Sequence, residues 1–241
     1  RKAQQIIIKK PRSTAGVFIW YNVFMKLFIL STQKLAPARL TVWMTLVFLV
    51  GIALSACLTS EPQWVNWSFS ALGERGELSS FIFNIAIAMM AVIMWCLAES
   101  MSSILEQAEA VATARLSLVA LRTIAFCGMA IAIFPNDTQH GLHYIFSRLS
   151  IIVFAFYAFM LPFTTSLFTR QQKSIMLGLS VAAVMACVQG FVHREFSFVV
   201  YEGAAGGLGA LWFYLTSKFA QQAVHASTAT LQSSVSQQKA S

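Results

Sequence analysis

Polar and apolar positions alternate along this chain in long blocks. Six apolar blocks stand out: Leu40 to Leu58, Ser80 to Ala98, Leu116 to Phe134, Leu142 to Phe168, Ile175 to Val192 and Phe196 to Phe219. A helix rises about 1.5 Å per residue, so about 20 apolar residues cross the ~30 Å hydrocarbon layer of a bilayer. The blocks therefore predict six transmembrane helices. A shorter aromatic run, Gly16 to Leu30, is interrupted by Asn22 and Lys26, which share one helix face at a spacing of four. It predicts an amphipathic helix lying in the interface, with Trp20 and Tyr21 at headgroup level.

The polar blocks complete the plan. Residues 59–79 form a loop in which Trp64 and Trp67 suit an interfacial belt, and Ser68 to Glu74 predicts a short helix or turn ended by Gly73. The Ala-rich segment Glu99 to Arg115 predicts helical extensions into the cytoplasm. Pro162 predicts a kink in the fourth span. After Ala220 the chain is rich in Gln, Ser and Ala, which predicts disorder. The expected fold is all-α: a polytopic membrane protein with a six-transmembrane-helix bundle over 40–220. A basic cytoplasmic segment with the interfacial helix, 1–39, precedes it, and a disordered cytoplasmic tail, 221–241, follows. Met25-Lys-Leu-Phe resembles an ordinary start, which leaves two places for the native beginning. Leu54-Ser-Ala-Cys57 matches a lipobox, in which Cys57 would carry a lipid, but the preceding basic region is long for a signal peptide.

Composition supports the membrane reading. The 241 residues are 57% hydrophobic and 11% charged, whereas a soluble domain carries about 25% charged residues and needs them to cover its surface. The net charge of +8 does not point to nucleic acid, because the bases cluster near span ends. With six spans, 14 of the 17 Lys and Arg fall on the side of the termini; only Arg75, Arg148 and Arg194 fall on the other. The positive-inside rule then places both termini in the cytoplasm. Cys57, Cys96, Cys127 and Cys187 all sit inside apolar blocks without a C-x-x-C spacing, so they read as packing residues.

In this orientation the chemistry-bearing residues gather at the outer leaflet: Ser70, Glu74, Asn84, Asp137, His140, His143, Arg148, His193 and Glu202. They are the candidate ligand-binding set. Arg148 and Glu202 each lie about six residues, roughly 9 Å, into a span, and an ionised group at that depth needs a partner. Their matched depths predict an Arg148–Glu202 pair, which either fixes helix register or holds a polar ligand. Gly203-x-x-x-Gly207 has the spacing of close helix–helix approach; alternatively the missing side chains make room for a lipid beside Glu202. Asp137, His140, His143 and His193 make a conceivable zinc set, but no H-E-x-x-H motif accompanies them. Three of the four histidines sit at the outer edge and His225 in the tail, rather than inside spans on both sides, which argues against haem. A serine nucleophile at Ser68 or Ser70 lacks nucleophile-elbow context. No cofactor and no resident metal is expected.

Ser70-Ala-Leu-Gly-Glu74, Phe83-Asn84, Phe134-Pro-Asn-Asp137, His143 and Glu202 together resemble a bacterial six-helix membrane family, domain of unknown function 998. That family is distantly similar to the Frag1/DRAM/Sfk1 group, linked to membrane-lipid organisation and remodelling. The resemblance covers roughly residues 41–220. It implies a bacterial cytoplasmic (inner) membrane protein, multi-pass, with no established activity. Ala71 stands where the family usually shows an acid, which weakens a metal-site carry-over.

Two function classes follow. The first is a binding or scaffold protein with a polar pocket at the outer leaflet, its partners membrane lipids or a membrane protein complex. The second is a membrane-embedded metal-dependent hydrolase or lipid-remodelling enzyme using the outer Asp/His cluster. The absence of an inverted repeat or of paired broken helices argues against a transporter.

Overall fold

The computed structural model describes residues 36–60, 68–74, 78–135, 139–192 and 198–240. The expected interfacial helix Gly16 to Leu30, Met25, Trp64, Trp67, Asp137 and His193 lie outside these residues. Among them the chain forms six α-helices: α1 Pro37–Leu58, α2 Leu78–Gln107, α3 Val111–Ile133, α4 His140–Met160, α5 Arg170–Val192 and α6 Phe198–Ala240, with 3₁₀ turns at Phe69–Gly73 and Leu161–Phe163. Five stretches are long and apolar enough to cross a membrane: Pro37–Leu58, Leu78–Gln107, Val111–Ile133, His140–Phe163 and Arg170–Gln189.

Helix ends follow local hydrogen-bonding chemistry. Pro37 opens α1 at a position where its missing N–H costs nothing. α2 closes in a Schellman arrangement: Ala110 N–H bonds to Leu105 O and Glu109 N–H to Glu106 O, both at 2.9 Å. That closure holds Glu109 at φ 60°, a left-handed conformation glycine would adopt more cheaply. Pro135 ends α3, since the residue before proline is pushed out of the helical region; Phe134 sits at φ −109°, ψ 85°. Pro162 does more than kink the fourth span. The α-helix stops at Met160 and tightens into 3₁₀, so the span expected to reach Phe168 ends earlier. Thr169 and Gln172 then form a reciprocal capping box at the start of α5, with Gln172 N–H to Thr169 Oγ1 at 3.2 Å and Thr169 N–H to Gln172 Oε1 at 2.9 Å.

The tail departs from expectation. The segment after Ala220, expected to be disordered, continues α6 as helix through Ala240. Ala, Gln and Lys are good helix formers, and no Gly or Pro interrupts the chain after Gly209.

α2 lies between α1 and α3 and also touches α6. α4 packs on α3, α5 on α4 and α6, and α6 on α1. Small residues set the tightest crossings. A Cβ on Gly51 would overlap the Cβ of Ala86, and one on Gly128 would lie 3.3 Å from the Cβ of Ala91. The close approaches are thus α1 to α2 and α2 to α3. At Gly203-x-x-x-Gly207 no such approach is seen among the described residues: nothing there lies within 4 Å of a Cβ on Gly207, and Gly203 meets the Phe69 ring rather than a helix backbone.

Leu97, Leu105, Leu121, Tyr157, Met176 and Trp212 belong to the larger core of the bundle. Its polar groups are paired internally, apart from the buried Thr216 Oγ1, which has no hydrogen-bond partner among the described residues. Tyr157 donates to Ser117 Oγ at 3.1 Å, and Trp212 Nε1 donates to Met176 O at 3.1 Å. Arg122, charged within α3, is neutralised: its Nε donates to Glu99 Oε1 at 2.8 Å, and its guanidinium lies over Trp95 at 5.1 Å. A second cluster, Leu72, Phe83 and Ile87 with Phe48 and Phe69 against it, occupies the opposite end. Large apolar side chains such as Trp43, Val119, Phe126, Ile152 and Phe163 point outward. Water would not tolerate so continuous an apolar exterior; lipid would.

Candidate functional site at the 68–74 turn

The five-residue turn Phe69–Gly73 is drawn in among the helix ends and gripped from several sides. Leu72 is buried against Phe83 and Ile87. The Phe69 ring meets Phe48 of α1 edge-on, 6.1 Å between centroids. Asn84, two turns into α2, donates from Nδ2 to Gly73 O at 3.2 Å. Gly73 is required there: a Cβ would come within 2.9 Å of both Asn84 Oδ1 and Phe83 Cδ1.

α6 contributes Glu202. It stands on the helix stripe that continues inward through the buried Gly209, Trp212, Thr216 and Ala220. Its Oε2 accepts the Phe69 backbone N–H at 2.6 Å. The first N–H groups of a helical turn have no partner inside the turn, so a carboxyl oxygen there caps it. The Phe69 ring also lies beside Gly203, the next residue, 3.8 Å from where a Cβ would be, an ordinary contact distance.

α4 contributes His143, which is buried. Its Nδ1 lies 2.9 Å from Phe134 O and its Nε2 lies 3.2 Å from Ser70 Oγ. A carbonyl only accepts, so Nδ1 carries the hydrogen. In the neutral ring Nε2 then offers a lone pair, and the Ser70 hydroxyl donates to it. Pro135 prepares this arrangement, because expelling Phe134 from the helix directs its carbonyl to the imidazole.

The structure therefore brings Ser70, Asn84, His143 and Glu202 together. Glu74 closes the turn, its N–H on Ala71 O at 3.4 Å. His140 and Arg148 go elsewhere. His140 stacks on Tyr144 at 5.8 Å between centroids, and the Arg148 guanidinium lies 3.8 Å over the same Tyr144 ring, with NH2 donating to its hydroxyl. These three form an exposed ladder along α4. The expected Arg148–Glu202 pair is not formed, since matched depth along two helices does not fix the direction in which each side chain points. Among the described residues no three His, Cys, Asp or Glu side chains are grouped to hold a metal ion. Sequence reasoning missed the backbone half of the site: Phe69 N, Gly73 O and Phe134 O. Only Pro135 signalled any of them.

Compared with protein-family models, curated proteins and solved structures, the chain matches none.

Proposed function

We propose that this chain is a lipid-binding protein of a bacterial cytoplasmic membrane that takes the polar part of an outer-leaflet lipid at the 68–74 turn. In this reading α6 is a sixth span. Phe198 to Phe219 measures about 33 Å, enough to cross the hydrocarbon layer, and both termini lie in the cytoplasm on the charge asymmetry of the sequence. The observation that carries the reading is the pinned turn. Asn84, His143 and Glu202 arrive from three helices and all bond to it. They hold one half-buried hydroxyl, Ser70, at a fixed place near the helix ends. The helix that carries His143 also carries the exposed ladder of His140, Tyr144 and Arg148, whose guanidinium suits a headgroup phosphate.

Two measurements test this reading. A reporter fused after Ala220 should read cytoplasmic and one inserted near Gln139 should read outside; the reverse would overturn the orientation. Protein purified in mild detergent should retain phospholipid in native mass spectra. A Ser70→Ala/Arg148→Ala double variant should lose most of it. Equal retention by wild type and double variant would remove the site from lipid binding.

A further inference from the structure

We infer that Ser70 is a nucleophile activated by His143, and that the site cleaves an acyl ester of the lipid it binds. The inference rests on the lipid-binding reading and adds a reaction to it. Three observations support it, each from a different part of the fold.

The first is the proton path. Ser70 O–H, the His143 ring and Phe134 O stand in one line, at 3.2 Å and 2.9 Å. This is the serine–base–orienter relation of acyl-transfer sites, with a backbone carbonyl where a carboxylate commonly stands. The carbonyl fixes the tautomer that leaves Nε2 free to take the hydroxyl proton.

The second is placement. A nucleophile must be held, and Ser70 sits between two anchored residues. Phe69 is tied to Glu202 through its N–H, and Leu72 is buried to 1%. Glu202 and Asn84 are positioning residues: they act on the turn, not on the substrate.

The third is depth. His143 lies about one helical turn, ~5 Å, inside the start of α4, and Glu202 a similar distance inside the start of α6. In a bilayer this is the boundary between hydrocarbon and headgroup layers, where the esters of a glycerolipid lie. Phe154, about three helical turns past His143 on α4, stands 3.7 Å from a Cβ on Gly209, about two turns past Glu202 on α6, and packs on Trp212 and Phe213, closing the bundle beneath the site. Between these levels Gly207 leaves open space on the flank of α6, beside which an acyl chain can lie.

The reaction balances with water as the only co-reactant. Ser70 Oγ bonds to the ester carbonyl carbon while its proton passes to His143 Nε2. The tetrahedral centre collapses, the carbon–alkoxy bond breaks, and Nε2 returns the proton to the leaving alkoxide. The products are a lysolipid and an acyl-Ser70. Water then attacks the acyl carbon, giving its proton to Nε2. The Ser70–acyl bond breaks, the proton returns to Ser70 Oγ, and a fatty acid leaves.

The test uses full-length protein in detergent with a fluorophosphonate probe, read by intact mass and peptide mapping. Wild type should take one adduct, on Ser70. Ser70→Ala removes a single hydroxyl and should take none, and His143→Gln should slow labelling by roughly 100-fold or more. An ester-linked phospholipid should release fatty acid, and its ether-linked analogue should bind without release. A wild type that takes no adduct on Ser70, or labelling that is unchanged in His143→Gln, overturns the dyad. Retention of the ether lipid is read separately. Lipid bound without any adduct leaves the binding reading standing and removes only the chemistry; an adduct without lipid retention does the opposite.

Discussion

Glu202 Oε2 accepts the backbone N–H of Phe69 at 2.6 Å across 133 residues of sequence. This bond ties the sixth helix to the turn between the first two. Glu202→Ala should cost roughly 1–3 kcal/mol, the cost of leaving a buried donor without a partner. Glu202→Gln keeps an acceptor and should cost distinctly less. Thermal unfolding in detergent separates them, and equal losses would mean that the carboxylate does not hold the turn.

Gly73 faces Asn84 and Phe83 with no room for a methyl group. Gly73→Ala should destabilise by about 1–3 kcal/mol, the range for overpacking. Adding Asn84→Ala removes one of the two clashing groups and should return part of that loss. A Gly73→Ala protein as stable as wild type would contradict the close packing.

Arg148 and Glu202 end on different partners, Tyr144 and Phe69. A double-mutant cycle of Arg148→Met and Glu202→Gln should be additive within about 0.5 kcal/mol. Arg148→Met alone should cost no more than about 1 kcal/mol, the worth of an exposed cation–π contact. Strong coupling between the two positions would restore the ion pair that their depths suggested.

Gly51 and Ala86 make the closest crossing of α1 and α2. Gly51→Ala should separate the helices and cost about 3 kcal/mol. Exchanging the two residues, Gly51→Ala with Ala86→Gly, moves the methyl to the other helix and should recover much of the loss. A swap as unstable as the single variant would show that the methyl contact is not what sets the crossing.

The apolar blocks gave the existence of the helices reliably and their ends poorly. The block Ser80 to Ala98 is the middle of α2, Leu78–Gln107, because burial marks a span whereas hydrogen bonds end it. Pro162 was visible as a perturbation, but a proline marks only where a helix is disturbed and not that the chain tightens there into 3₁₀. The tail reads as disordered by polarity and is helical by propensity. At the site, Asn84, His143 and Glu202 were legible because a polar group in an apolar block is costly and needs a partner, and Ser70 only through its place in the short turn that Gly73 ends. The partners were not legible, since Phe69 N, Gly73 O and Phe134 O are backbone atoms that every sequence has. The Arg148–Glu202 expectation used height along the bundle without direction around it.

α6 runs unbroken from Phe198 to Ala240, 43 residues, or about 64 Å at a helical rise. That is twice the hydrocarbon thickness of a bilayer. Past Gly209 it holds no proline or glycine at which to bend. Its Gln- and Ser-rich half is thus one straight cylinder, and Gly203, Gly206, Gly207 and Gly209 are the places where that cylinder can bend before it reaches Glu202 and the turn that carries Ser70.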